Sequence, residues 1–171
     1  GYREEVLTGT QLGSYGFDLA RGDLGYLIRL ILENSELERL RVSSLQPQEI
    51  STKLLRLWED PRLCPHFHMP LQSGSDTVLS HMRRRYTSKL YADTVDKIHR
   101  AVRGAAVTAD VLVGFPGEGE EHFQESFRFC DGVNFSGMHV FPYSVRPGTS
   151  AAYMASQVDP KTKKERMQRM L

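Results

Sequence analysis

Three stretches of this 171-residue chain combine residue types able to hold a charged or planar ligand. In Gln72-Ser73-Gly74-Ser75-Asp76, small polar residues stand directly before a helical pattern. Ser75 can cap that helix through its hydroxyl, and the exposed N–H groups of a helix start suit a carboxylate or phosphate. Plain capping explains the same residues. Gly114-Phe115-Pro116-Gly117-Glu118-Gly119 lacks the G-x-G-x-x-G spacing, and Pro116 stiffens it. Its glycines allow positive φ and close approach of backbone to a flat ligand, or simply a tight turn. Met82-Arg83-Arg84-Arg85-Tyr86 offers guanidinium groups for bidentate capture of a carboxylate or phosphate. A helix dipole alone also favours cations at a helix end, and at least one of the three arginines is expected to do no more.

Other reactive types read more plainly. Asp110 stands among Val107, Val111 and Val113, where an acid is costly unless paired or part of a site; a barrel-interior position is expected. His66 and His68 alternate on one strand and face the same side. They lack a third metal ligand nearby and read as hydrogen-bonded interior residues. His139 can face the same interior, whereas His81, His99 and His122 fall in helices and are expected at the surface. Cys64 and Cys130 have apolar neighbours and read as buried, inert thiols. No Ser-His-Asp order or paired-carboxylate motif stands out, so no catalytic residue and no metal ligand is assigned.

These residues must be placed by their elements. Strands are predicted at 5–8, 40–43, 66–69, 107–113 and 138–141. Between them, helical spacing runs through Leu24, Leu27, Ile28 and Ile31; Ile50, Leu54, Leu57 and Trp58; Val78, Leu79 and Met82; Tyr91, Val95, Ile98 and Val102; and Phe123, Phe127 and Cys130. Strand and helix alternate, which implies parallel strands with right-handed crossovers, in an open doubly wound sheet or a β/α barrel. In either, ligand residues gather after the strands' C-terminal ends, and the polar and glycine-rich loops fall there. From Asp159 the chain turns charged and reads as a helix or linker over 159–171, after a domain over 1–158.

Composition sets wider bounds. Hydrophobic residues make up 40% and charged residues 25%, ordinary for a globular domain. Lys+Arg 22 against Asp+Glu 21 gives a net charge of +1, which leaves room for a local basic patch only. No apolar run is long enough to span a bilayer. The first residues, with two acids and no apolar stretch, do not read as a secretory signal. Two cysteines exclude a disulfide framework and make a reducing, cytoplasmic setting the expectation.

Taken together, the motifs are far more specific. Leu7-Thr8-Gly9 with Leu12-Gly13-Ser14-Tyr15-Gly16, Arg41-Val42-Ser43-Ser44-Leu45-Gln46-Pro47, Leu63-Cys64-Pro65-His66-Phe67-His68-Met69-Pro70-Leu71-Gln72-Ser73-Gly74-Ser75-Asp76, Met82-Arg83-Arg84-Arg85-Tyr86-Thr87, Asp110-Val111-Leu112-Val113-Gly114-Phe115-Pro116-Gly117-Glu118 and Phe141-Pro142-Tyr143-Ser144-Val145-Arg146-Pro147-Gly148-Thr149 follow in order over nearly the whole chain. The series resembles the radical S-adenosylmethionine (SAM) methylthiotransferases. Ser43 to Pro47 and Pro65 to His68 look most like the branch acting on threonylcarbamoyladenosine in tRNA. Those acting on isopentenyladenosine or on a ribosomal protein fit these stretches less well.

The resemblance implies an α/β fold, a partial (β/α)6 TIM-like barrel of the radical SAM type. The first strand here matches the family's second, so the chain is expected to lack the first strand. It also implies a 4Fe-4S cluster on a Cys-x-x-x-Cys-x-x-Cys loop, a second cluster on an N-terminal domain and a C-terminal RNA-binding domain. The sequence contains no such cysteine loop. The expectation is therefore a fragment, inactive alone, of an enzyme that adds a methylthio group to adenine C2 of tRNA. A reductant and a sulfur donor are needed as further partners. By position, Gln11 and Ser43 are expected near the SAM methionine, Gln72 and Ser73 at its polar groups or ribose, and Arg84 at its carboxylate. Val113, Gly114 and Phe115 would flank the adenine, Tyr143 would close the pocket, and Asp110 would meet ribose or substrate. A non-catalytic nucleotide-binding module is the alternative of another class. An ordinary phosphate-binding β/α barrel enzyme would need a catalytic acid–base set, which the residues do not show.

Overall fold

A computed structural model describes residues 2–20 and 22–171; Gly1 and Arg21 lie outside the described residues. The elements run β1 (Glu4–Leu7), α1 (Leu24–Asn34), β2 (Arg39–Val42), α2 (Thr52–Leu55), β3 (His66–His68), α3 (Asp76–His81), α4 (Ser88–Ala101), β4 (Ala106–Val113), α5 (Glu120–Gly132), β5 (Gly137–Pro142) and α6 (Pro160–Met170), with short 3₁₀ turns between some of them. Each predicted strand is present, shifted by no more than a residue or two at its ends. The stretch 159–171 is helix. Asp159 caps it, accepting from Thr162 N at 3.0 Å, and Pro160 occupies the first turn.

The chain divides into two compact units, residues 1–70 with 93–108, and residues 71–92 with 109–171. In the first, β1 and β2 pair in parallel, Glu4 opposite Arg39 through Leu7 opposite Val42. β3 pairs in parallel with the start of β4, His66 opposite Ala106 and His68 opposite Thr108. Between β2 and β3 the ladder is reduced to one isolated bridge, Leu40 to Leu63, so the strands form two sheets rather than one. α1 buries Leu24, Ile28 and Leu32, one helical face, and Asp23 caps it through Tyr26 N at 2.7 Å. That bond, reinforced by Lys53, holds the Asp23 carboxyl below its usual range. Trp58 closes the core, its indole N–H on the Cys64 carbonyl at 2.9 Å and its ring 4.6 Å from that of Phe67.

In the second unit, β4 continues as Ala109, Val111 and Val113, all buried, and β5 lies beside it. α5 buries Phe123, Ser126 and Cys130 along one face. Burial pushes the Cys130 thiol up to about 12, which keeps it protonated. Tyr91, fully buried, meets Phe129 and Phe135 edge-on at 6.2 and 6.0 Å. Burial raises its phenol as well. Among the described residues, no helix is long and apolar enough to cross a membrane.

Candidate functional site

The second unit carries two adjoining hollows that share Gln72, Leu112 and Ala151. One, of about 540 Å³, also meets Tyr143, Ser144 and Arg146. The other, of about 590 Å³, meets His81, Arg83, Arg84 and Phe115. The local backbone explains why these side chains arrive there. Gln72 forms a parallel bridge to Val111; its N–H donates to Asp110 O, and its carbonyl accepts from Leu112 N, both at 2.8 Å. Its φ is 66°, in the left-handed region that a side chain occupies at a cost of roughly 1 kcal/mol.

Arg83 is the only other such non-glycine among the described residues, with φ of 57°. It ends α3: Arg83 N donates to Ser80 O and Arg84 N to Leu79 O, both at 2.9 Å, the paired bonds of a Schellman stop with arginine where glycine is usual. The helix-end reading of the arginine cluster is thus correct for the backbone. The side chains of Arg83 and Arg84 line the hollow all the same, and neither guanidinium has an ion-pair or hydrogen-bond partner among the described residues. Two left-handed side-chain-bearing residues on one hollow mark where the fold holds strain.

Phe115, from the second hollow, and Tyr143, from the first, meet edge-to-face at 5.4 Å, and Tyr143 N donates to Val113 O at 2.8 Å. The Tyr143 hydroxyl is buried without a hydrogen-bond partner among the described residues. Val113 and Gly114 are buried. Asp110 accepts from, or shares a proton with, His139 Nδ1 at 3.3 Å, so the acid inside the apolar strand is paired.

Two expectations take another form. Ser75 does not cap α3 through its side chain; its hydroxyl donates to the Glu125 carboxylate. Ser73 is fully buried and lines neither hollow. Its hydroxyl bonds Ser126 Oγ at 2.8 Å and accepts from Ser75 N at 3.2 Å, while Ser126 Oγ also accepts from Gly74 N at 3.0 Å. This pins the loop to α5, close enough that a Cβ on Gly74 would lie 2.6 Å from Phe129 Cβ. The loop's small residues are required by packing.

In the first unit, Gln11 is exposed; its carbonyl accepts from Ser14 N at 3.1 Å and Ser14 Oγ at 2.8 Å. Ser43 is half-buried and extends the β1–β2 ladder, donating to Leu7 O at 2.9 Å. His66 and His68 converge on Thr108 Oγ1 at 3.1 and 3.0 Å, as hydrogen-bonded residues. A hollow of about 540 Å³ at the start of α1, not anticipated from the sequence, is lined by Asp23, Arg29, Glu49, Lys53 and Arg56. Its charges are mixed, and Lys53 pairs with Asp23 at 3.1 Å. Among the helical histidines, His81 is exposed, whereas His99 and His122 are half-buried. His122 Nδ1 accepts from Gly119 N at 3.3 Å.

Among the described residues, no group of three or more His, Cys, Asp or Glu stands together as a metal site. Cys64 and Cys130 are buried singly, and a 4Fe-4S cluster does not fit the residues present.

Known proteins place the chain. It is 43% identical to the threonylcarbamoyladenosine tRNA methylthiotransferase of Bacillus subtilis (strain 168) over the whole chain, which spans 38% of that relative. It is 40% identical to the tRNA-2-methylthio-N(6)-dimethylallyladenosine synthase of Corynebacterium urealyticum, spanning 33% of it. The structure is similar to Escherichia coli coproporphyrinogen III oxidase, a radical SAM enzyme, with TM-score 0.68 and 18% identity over 83% of this chain and 34% of that one. It is also similar to the radical SAM methyltransferase TsrM of Kitasatospora setae, with TM-score 0.65 and 17% identity over 82% of this chain and 27% of that one. The α/β fold of the radical SAM type expected from the sequence agrees with these neighbours. The family model for the Radical SAM superfamily matches residues 7–130, and the chain belongs to that superfamily.

Proposed function

We propose that this chain is the SAM-binding core of a cytoplasmic radical SAM tRNA methylthiotransferase that modifies adenine C2 of threonylcarbamoyladenosine in tRNA. The observation that carries the reading is Arg84. Its guanidinium, without a partner among the described residues, opens onto the hollow that also holds Gln72 and Phe115. A carboxylate such as that of SAM suits a planar guanidinium bidentately. Gln72 supplies an amide for the remaining polar groups, from a backbone position fixed by its bridge to Val111. Phe115 and Tyr143 offer an apolar corner for a flat base, and the buried Tyr143 hydroxyl is a donor in search of an acceptor.

The family's chemistry is hydrogen abstraction from an unreactive carbon by a radical derived from SAM. This chain's residues bind and orient the cofactor, and the cluster ligands are not among them. The threonylcarbamoyl branch is favoured by the 43% identical Bacillus relative. A second reading, dimethylallyladenosine as substrate, is favoured by the 40% identical synthase. The test has two arms. SAM titration of the full-length protein with Arg84→Ala or Gln72→Ala should show at least about tenfold weaker binding, the scale of a lost charged hydrogen bond; unchanged affinity refutes the site. Mass spectrometry of tRNA nucleosides from a deletion strain should show loss of the methylthio group from threonylcarbamoyladenosine. Loss from the dimethylallyl nucleoside instead would select the second reading.

A further inference from the structure

We propose that α6 is a clamp on the Gly114–Glu118 loop, and that Arg166 and Lys163 are positioning residues for SAM through it. The inference rests on the SAM reading of the hollow. Arg166 comes from a segment with the composition of a solvated linker, yet its side chain is 6% exposed and that of Glu118 only 1%. Arg166 Nη1 donates to the Glu118 carbonyl at 2.8 Å and to Glu118 Oε1 at 2.9 Å. The same Oε1 accepts from Gly114 N at 2.8 Å. One carboxylate therefore ties the two ends of the loop together, and one guanidinium holds that carboxylate in place. Phe115, the hollow's aromatic wall, stands between them.

Lys163, three residues earlier on the same helical face, completes the clamp. A Cβ on Gly114, whose φ is 74°, would collide with the Lys163 stem. The close approach that this glycine permits is thus that of α6. The Lys163 ammonium lies 5.0 Å from the centroid of the Tyr143 ring, so the second aromatic is held by the same helix. Arg166 and Arg169 also stack on Phe123, at 5.5 and 4.5 Å, which fixes α6 against α5. Gly117 N, donating to Ser156 O at 2.8 Å, secures the loop's far side to the segment that leads into α6.

A buried pair that only stabilised the fold would not set the order of the loop in the folded protein or its hold on a ligand. The experiment uses the full-length protein with Arg166→Met, Arg166→Lys and, as the control on the SAM site, Arg84→Ala. It reads hydrogen exchange of residues 112–119 without SAM, SAM affinity by titration, and the thermal midpoint. Arg166→Met should speed exchange in that segment by about tenfold or more and weaken SAM binding on a similar scale, with Arg166→Lys between it and the parent. Exchange in 112–119 equal to the parent's overturns the clamp. Faster exchange with SAM affinity within about twofold of the parent's overturns the positioning role. Should Arg166→Met fail to fold, Arg166→Lys decides by the same criteria. Unchanged SAM affinity in Arg84→Ala counts against the SAM site itself, and the clamp then stands or falls on exchange alone.

Discussion

Replacing Ser73 by alanine separates the two roles open to its loop. The hydroxyl is buried, 2.8 Å from Ser126 Oγ and 3.2 Å from Ser75 N. Its removal strands the Ser75 N–H, itself buried, at a cost of roughly 1–3 kcal/mol. Ser126 keeps Gly74 N at 3.0 Å and loses one bond, about 0.5–1.5 kcal/mol. Ser73→Ala should therefore lower stability by about 1.5–4.5 kcal/mol. Because Ser73 lines neither hollow, SAM affinity should stay within about twofold of the parent's. Urea unfolding followed by circular dichroism gives the first quantity, and titration of the folded full-length variant gives the second. Gln72→Ala should show the reverse pattern. A double-mutant cycle with Ser126→Ala should return a coupling of about 0.5–1.5 kcal/mol. A tenfold loss of SAM affinity at unchanged stability would refute the packing role and return Ser73 to the binding site.

Two further outcomes follow from the same packing. Gly74→Ala would set its Cβ 2.6 Å from Phe129 Cβ and 2.8 Å from Ser126 Cα, atoms with no flexible end to give way. It should cost about 1–3 kcal/mol or more in urea unfolding, and a variant as stable as the parent would show that α5 can move. Burial, with Arg41 and His68 nearby, lowers the His66 pKa below 6.5. The unfolded chain then binds the proton first, so this contribution is whole above pH 6.5 and is lost as pH falls through that value towards the folded one. His66→Asn should flatten the fall in stability over that range; an unchanged slope would assign the acid sensitivity elsewhere.

How much of this was legible beforehand varies by residue. Val107, Val111 and Val113 announce their strand because one buried face imposes a period of two. Tyr91, Val95 and Ile98 do the same for a helix, and their period is the physical cause of their burial. The lining of the hollows is partly readable: motif order groups Gln72, Arg84, Phe115 and Tyr143, and the structure brings them to adjoining hollows. Ser73 and Ser75 were not separable from Gln72, because a hydroxyl facing a ligand and one facing Ser126 or Glu125 look alike in sequence. Arg83 carried no mark of its left-handed backbone, since helices usually end there on glycine. The α6 residues were least legible. Lys163 and Arg166 sit in a run of charge that reads as solvated, and only tertiary contact with Glu118 and Gly114 reveals otherwise.

The order in which the two compact units share the chain limits how the protein can be taken apart. Residues 93–108 of the first unit are inserted between the two stretches of the second, 71–92 and 109–171. The crossings fall after Pro70, within α4 and within β4. No single cleavage releases either unit whole and alone, so limited proteolysis should yield nicked, co-purifying pieces instead of two separable halves. On the ribosome, likewise, the first unit can close once Thr108 has emerged, whereas the second waits for residues 109–171.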